Sequence, residues 1–355
     1  MPQPSYNFYA GPAKLPVSVM ERIRNELTDY RETGMSVMEI SHRAQPILEL
    51  LERTQEKIRR LMGLAVDDTI LFLQGGGSLQ FSMVPMNLSV AGDAVDYTDT
   101  GYWAAKAIDA ARQLGRDVHV AAKDHRAIPL ALDVRADARY LHICTNNTVM
   151  GTQWQNIPTS PVPLVADMSS DILSRNIDAG RFTLMYAHAQ KTIGVAGVTL
   201  VILPRKTQEM IQPGLPAFFD YRTHAAAASN YHTPPVFAIY VVECMLDWIE
   251  KEVGGLKAME TLNNRKATLF HETLDASTLF YCPVPSDSRS MMNVVFDAVD
   301  QTVPIFSKLA RDAGLVGLEG HRTRGGFRAS LYNAVTVEDV MALTGFITEF
   351  ECRYG

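Results

Sequence analysis

The stretch Phe182-Thr183-Leu184-Met185-Tyr186-Ala187-His188-Ala189-Gln190-Lys191-Thr192-Ile193-Gly194 decides how this chain folds. Phe182 to Ala187 is apolar and of strand length, and Lys191 lies just past its end. A second apolar run, Val162-Pro163-Leu164-Val165-Ala166, ends on Asp167. Two strands that finish side by side hold such a carboxylate and amine across one small space. A single lysine at a strand end is most often only solvated. The pair reads differently. Asp167 runs into the mostly polar Met168-Ser169-Ser170-Asp171, and Lys191 enters a tight turn through Gly194 and Gly197. Pyridoxal phosphate needs both groups: an amine to condense with its aldehyde, and a carboxylate to keep its ring nitrogen protonated.

Outward from this pair, strand and helix patterns alternate. Pro46 to Met62 predicts an amphipathic helix, with proline at its start and Gly63 past its end. Strands are predicted at 69–73, 94–98, 118–121, 139–144, 163–167, 182–187 and 198–203, with a helix from Trp103 to Leu114 closed by Gly115. Interleaving of this kind implies crossover connections and a mostly parallel sheet covered on both faces, an α/β fold. A long helix, 235–253, is ended by Gly254-Gly255. Beyond it the pattern becomes helix 256–274, strands near Leu279 and at 292–296, helix 302–313, strand 327–331 and helix 337–352. The expected organisation is a large cofactor-binding domain, 16–255, and a smaller α+β C-terminal domain, 256–355.

With 355 residues, 47% of them hydrophobic, the chain has enough apolar surface for two cores. A formal charge of −6 argues against a nucleic-acid partner. Four scattered cysteines (Cys144, Cys244, Cys282, Cys352) have no zinc-type spacing and suggest no disulfide framework, so no metal is expected. Met1-Pro2-Gln3-Pro4-Ser5 lacks the pattern of a signal peptide, and no apolar run spans a bilayer. A cytoplasmic enzyme without a membrane partner is the expectation.

Three further features are candidates for a site. Gln74-Gly75-Gly76-Gly77-Ser78 passes from strand to helix, where backbone N–H groups receive phosphate and glycine admits it closely. A plain tight turn is an equal alternative. The spacing fails the nicotinamide dinucleotide fingerprint, because Gly75 and Gly77 are followed by Gln80, and no Gly-Lys-Ser/Thr makes a Walker loop. Gly101-Tyr102-Trp103 opens a helix, and its indole offers a flat partner to an aromatic ring, with a core tryptophan as the equal alternative. Two His-Arg pairs, His42-Arg43 and His321-Arg322, together with Arg328 beside Gly325-Gly326, suit two anions, since arginine forks match carboxylate and phosphate.

Motifs along nearly the whole chain carry a resemblance. They are Asn7-Phe8-Tyr9-Ala10-Gly11-Pro12, Glu39-Ile40-Ser41-His42-Arg43, the segment from Val165 to Arg175 that contains Asp167-Met168-Ser169-Ser170-Asp171, Ala189-Gln190-Lys191, Gly320-His321-Arg322, and Arg328 to Ala334. Together they resemble the phosphoserine aminotransferase family, in the class V branch of the fold-type I pyridoxal-phosphate enzymes. The resemblance implies a seven-stranded, mostly parallel sheet in the large domain and an N-terminal segment, 1–15, packed with the small domain. It implies that Lys191 condenses with the cofactor and Asp167 pairs with its ring nitrogen. Trp103 stacks on the ring, and Thr148 contacts its phenolic oxygen side. Gly77, Ser78 and Gln190 cradle the phosphate, helped by His232 and Thr233 across a homodimer interface. Arg328 takes the substrate α-carboxylate. His42, Arg43, His321 and Arg322 take the distal phosphate, or the side-chain carboxylate of glutamate.

Five positions depart from the family pattern: His188 stands for glycine, Thr192 for asparagine, His232 for asparagine, Asn176 for proline and Glu319 for a basic residue. None removes a catalytic group. The implied reaction interconverts 3-phosphohydroxypyruvate and glutamate with phosphoserine and 2-oxoglutarate in serine biosynthesis. Activity on the phosphorylated hydroxythreonine intermediate of pyridoxine biosynthesis is implied as well. The alternative is a class V transaminase for alanine, serine or glyoxylate that needs no phosphate. A cysteine desulfurase is disfavoured, since Cys144, Cys244 and Cys352 fall in predicted strand or helix and Cys282 just past a strand.

Overall fold

The computed structural model describes residues 5–299 and 302–355; residues 1–4, on which the signal-peptide expectation rests, lie outside the described residues. From the N-terminus run β1 (Tyr6–Asn7), α1 (Val17–Glu26), α2 (Gln45–Met62), β2 (Thr69–Leu73), α3 (Gly76–Leu88), β3 (Ala94–Asp99), α4 (Tyr102–Gln113) and β4 (Asp117–Lys123). The chain continues through β5 (Leu141–Cys144), the short pair β6 (Asn146–Asn147) and β7 (Thr152–Gln153), then β8 (Leu164–Asp167), β9 (Leu184–His188) and β10 (Thr199–Leu203). Two short helices follow, α5 (Arg205–Gln208) and α6 (Tyr221–Ala226), and then the longer α7 (Val236–Asp247) and α8 (Leu256–Ala276). The last elements are β11 (Phe280–Tyr281), β12 (Asn293–Ala298), α9 (Val303–Asp312), β13 (Leu315–Val316), β14 (Phe327–Ser330) and α10 (Val337–Tyr354).

Seven strands form one sheet in the order β2-β10-β9-β8-β5-β3-β4. Only β10 runs against its neighbours, so the sheet is mostly parallel. Strands β5, β8 and β10 are buried along their whole length, as continuous apolar runs covered on both faces should be. One face packs on α1, α2 and α7 through residues such as Ile23, Leu50, Ala166, Met185 and Leu246. The other packs on α3 and α4 through Phe81, Val95, Ala107 and Val201.

Local chemistry accounts for the helices. In α2 the buried positions Ile47, Leu50, Leu51, Thr54 and Ile58 recur at helical spacing, and Pro46 sits in its first turn. Gly63 closes α2 in the left-handed conformation, and its N–H reaches the Arg59 and Arg60 carbonyls. Helix α7 is buried from Ala238 to Asp247. Its two acids survive there because α1 and α2 supply cations. Glu243 Oε1 accepts from Arg53 at 2.9 Å and Lys57 at 3.1 Å, and Asp247 accepts from Arg22 at 2.8 Å. The helix predicted through Val253 stays regular only to Asp247 and then widens into a π-helical turn over Trp248–Val253.

A second core joins Phe8 to Phe270, Phe296, Phe306, Phe327 and Phe350. Around it lie α8, α9, α10 and the antiparallel sheet β11-β12-β14. Strand β1 pairs with β13, and Ser330 donates its N–H to the Phe8 carbonyl at 3.1 Å. The sequence patterns did not predict β1, β6, β7, β13 or α1. The four strands are two residues long, below the length at which periodicity is visible, and α1 buries only Val19 and Ile23.

Candidate active site

Strands β8 and β9 are parallel neighbours, with Asp167 opposite Tyr186 in register. Asp167 is the last residue of β8, and Lys191 follows the last residue of β9 by three positions. Both face a crevice at the carboxyl ends of the strands, where open α/β sheets bind ligands. There Ser78, Trp103, Thr148, Asp167 and Lys191 line one small cavity, together with Phe81, Cys144, Asn146, Ser169, Ser170 and His188. Lys191 Nζ donates to Thr148 Oγ1 at 3.2 Å and stands 5.9 Å from the centre of the Trp103 ring. Asp167 Oδ1 accepts from the Ser169 amide at 2.8 Å, which fixes the carboxylate on its strand end.

The walls are held by backbone that few residues could adopt. Gly101 opens α4 with φ 149°, and a Cβ there would collide with the Asn147 side-chain amide. Asn147 Nδ2 donates to the Thr100 carbonyl, which ties the start of α4 to the turn that carries Thr148. Asn146 donates to Ser170 Oγ and to Asn293 Oδ1, both at 2.8 Å, and so joins the floor of the cavity to β12. The N-terminal segment crosses the same place. Ala13 N donates to the Gln190 carbonyl at 2.9 Å, and Tyr332 OH donates to the Ala10 carbonyl at 3.0 Å.

Arg328, on β14, reaches in from the second core. Its Nη1 donates to the Thr148 carbonyl at 3.0 Å. Its Nε is buried and has no partner among the described residues, a donor suited to an anion. His321 stacks at a tilt on Tyr102, 5.0 Å between ring centres, and Tyr102 in turn meets Trp103 edge-on at 5.0 Å. Burial, with Arg328 and Arg322 adding, lowers the His321 pKa.

Gly77 and Gln190 border the Lys191 cavity at His188, whereas His42, Arg43, His232 and Thr233 fall outside its lining. His232 and Thr233 line a separate small cavity with Phe72, Gln74 and Phe218. Gln74 Nε2 donates to the Thr233 carbonyl at 3.0 Å. The His42 carbonyl accepts from Asn230 on the same side, and Arg43 and Arg322 are exposed. Among the described residues no hydrogen bond links His42, Arg43, His232 or Thr233 to the lining of the Lys191 cavity.

Sequence reasoning passed over Cys144, Tyr102, Asn146 and Ser169 as site residues. Cys144 ends β5 beside the end of β8, so its strand position brings it to the site instead of excluding it. Burial, with the Asp167 charge adding, pushes its thiol well above the usual range, and a thiol kept protonated is a poor nucleophile. The desulfurase reading stays disfavoured for that reason. Ser169 lies inside a quoted motif and Asn146 outside any, and nothing in residue type separates a wall from its neighbours.

Residues 5–343 match the model of the family described as Aminotransferase class-V. A phosphoserine aminotransferase of Geobacillus kaustophilus is 47% identical over 358 residues, 99% of each chain. Among solved structures, the phosphoserine aminotransferase from Bacillus circulans subsp. alkalophilus superposes with a TM-score of 0.96 at 41% identity, covering 99% of each chain. A phosphoserine aminotransferase from Trichomonas vaginalis, solved with pyridoxal phosphate bound, does so with a TM-score of 0.91 at 37% identity, over 97% of this chain and 100% of that one. The chain belongs to the class-V aminotransferases, in the phosphoserine aminotransferase family.

Proposed function

We propose that this chain is a pyridoxal 5'-phosphate-dependent phosphoserine:2-oxoglutarate aminotransferase of serine biosynthesis. It passes the amino group of glutamate to 3-phosphohydroxypyruvate. The observation that carries this reading is the single cavity shared by Lys191 and Asp167 and lined by Trp103, Thr148 and Ser78. These groups fit the cofactor: an amine for an aldehyde, a carboxylate for a ring nitrogen, an indole for a ring face, and helix-start amides at Gly77 and Ser78 for a phosphate.

When bound, the cofactor supplies an aldehyde that condenses with amines and a ring that accepts electrons from the substrate Cα bond. Asp167 holds a proton on the ring nitrogen and keeps that ring cationic. Lys191 Nζ takes the substrate α-proton, general-base work of roughly 10²- to 10⁴-fold, and Thr148 Oγ1 orients the amine for it. Trp103 excludes water from one face. Gly77, Ser78 and Gln190 hold the phosphate with His232 and Thr233 of the partner subunit. Arg328 takes the α-carboxylate through its unpartnered Nε. His42, Arg43, His321 and Arg322 take the distal phosphate or the glutamate side chain. A homodimer with shared sites follows from this assignment, and the placement of His42, Arg43, His232 and Thr233 outside the lining of the Lys191 cavity within one chain supports it.

The same reading divides the chain into 16–255 and 256–355, with 1–15 on the smaller unit. An apolar core built from Phe8 and residues from Phe270 onward, and the β1–β13 pairing, support that division. Among the described residues no helix is long and apolar enough to cross a membrane, and we assign the protein to the cytoplasm. Use of the phosphorylated hydroxythreonine intermediate rests on the resemblance alone. A coupled assay of phosphoserine with 2-oxoglutarate, run beside serine, alanine and glyoxylate, tests the function. Turnover should require the phosphorylated substrate. Equal turnover of alanine or serine would favour the phosphate-independent alternative.

A further inference from the structure

Position 188 carries a histidine, and the fold lays its ring against the start of α3. His188 Nδ1 accepts from the Gly77 amide at 3.2 Å, and Gln190 Nε2 lies 3.3 Å from the same nitrogen. Ser169 Oγ accepts from the His188 backbone amide at 3.4 Å. A methyl group built on Gly76, at φ 64°, would stand 2.8 Å from Nδ1, and one on Gly77 would stand 3.3 Å from Nε2. The two glycines therefore leave a recess that admits the imidazole. Burial pushes the ring down to about 4, with the Lys191 charge adding and the Asp167 charge opposing. A neutral ring that accepts at Nδ1 carries its hydrogen on Nε2.

Gly77, Ser78 and Gln190 are the groups assigned above to the cofactor phosphate, and His188 touches two of them. One amide hydrogen does not serve Nδ1 and a phosphate oxygen together in good geometry. Within one chain the other members of this cup are neutral, so the imidazole is its one group able to take up a proton. We propose that His188 is a phosphate ligand of the cofactor cup: its imidazole yields the Gly77 amide to one phosphate oxygen and turns a ring N–H onto another. The inference rests on the pyridoxal-phosphate reading. The turn is about a broad, roughly two-fold side-chain torsion, which makes it inexpensive. A donor facing an ionised acceptor makes a bond about twice as strong as a neutral pair, so the exchange is favourable.

The test is equilibrium titration of the full chain, stripped of cofactor, with pyridoxal 5'-phosphate and separately with pyridoxal, read by the visible absorbance band. The expected result for His188→Gly is an affinity for pyridoxal 5'-phosphate weaker by roughly 10- to 100-fold, with pyridoxal binding within about twofold of wild type. His188→Asn, whose amide still donates, should recover part of that loss. An unchanged or larger preference for the phosphorylated ligand in His188→Gly would overturn the proposal. Equal loss for both ligands would also overturn it, as the mark of a structural role. Failure of the wild-type protein to form the band with either ligand would strike the cofactor reading itself, a separate outcome.

Discussion

Two lysines of this chain sit where lysine is rare, and their surroundings give them opposite work. Lys191 follows β9 into a cavity, with a threonine hydroxyl 3.2 Å from Nζ and an indole below it. Lys266, in the middle of α8, is 1% exposed and donates to the carbonyls of Leu331 and Tyr332, both at 2.9 Å. A carbonyl only accepts, so Lys266 is locked in place as a tie between α8 and the chain leaving β14. Thr148 Oγ1 accepts one hydrogen from the Lys191 amine, which steadies it while leaving the nitrogen lone pair free to react. The first lysine is placed to react, and the second to hold the second core together.

The contrast can be broken most sharply at Lys191 itself. Lys191→Ala should lower turnover of phosphoserine by at least roughly 10⁴-fold in initial-rate assays, since it removes both the condensing amine and the base. Lys266→Met should leave turnover of the folded protein within about threefold. A Lys266 variant that is soluble, folded and inactive would erase the distinction. Asp167→Asn ranks next, with an expected loss of about 10²- to 10³-fold in kcat, because a neutral amide cannot hold the ring nitrogen as a cation.

Arg43→Ala and Arg322→Ala sharpen the picture on the substrate side. A charged hydrogen bond is worth roughly 1.5–3 kcal/mol, so each should cost at least about tenfold in kcat/KM for phosphoserine. Each should cost much less for serine, and equal losses would mean that these arginines do not read the phosphate.

The smallest effect concerns stability. Burial pushes the Lys266 pKa down to about 7, with Asp339 opposing and Lys14 adding. The unfolded chain binds a proton at this lysine up to about pH 10.4. Between the two values the unfolded state holds more protons than the folded state, so this group makes the protein more stable as pH rises. The Tm of wild type minus that of Lys266→Met should therefore rise from pH 7 to pH 10 in matched buffers, whichever protein is the more stable at pH 7. It should be flat below pH 7. A difference that falls as pH rises would contradict the burial argument.

The same comparison shows what a sequence reveals. Lys191 was legible because an apolar strand, a glycine-rich turn and an upstream Asp167 surround it. Lys266 lies in Asn263-Asn264-Arg265-Lys266, a polar helical stretch whose burial depends on partners 65 and 66 residues away. Most strands of the large sheet were legible for the reason Lys191 was, since β2, β5, β8, β9 and β10 are largely buried, mainly apolar runs of four or five residues, whereas edge strand β4 buries only Ala121. The antiparallel course of β10 was not, because periodicity carries no direction. Nor was the wall of the cavity: Asn146, Ser169 and Cys144 reach it only through the pairing of β5 with β8. The seat of His188 against Gly77 joins residues more than a hundred positions apart, and no local pattern encodes such a contact.

The most direct measurement is borohydride reduction of the protein with pyridoxal 5'-phosphate, followed by proteolysis and mass mapping. The account predicts one stable cofactor adduct per chain, on the Lys191 ε-nitrogen. An adduct on another lysine, Lys266 included, or no adduct at all, would contradict it.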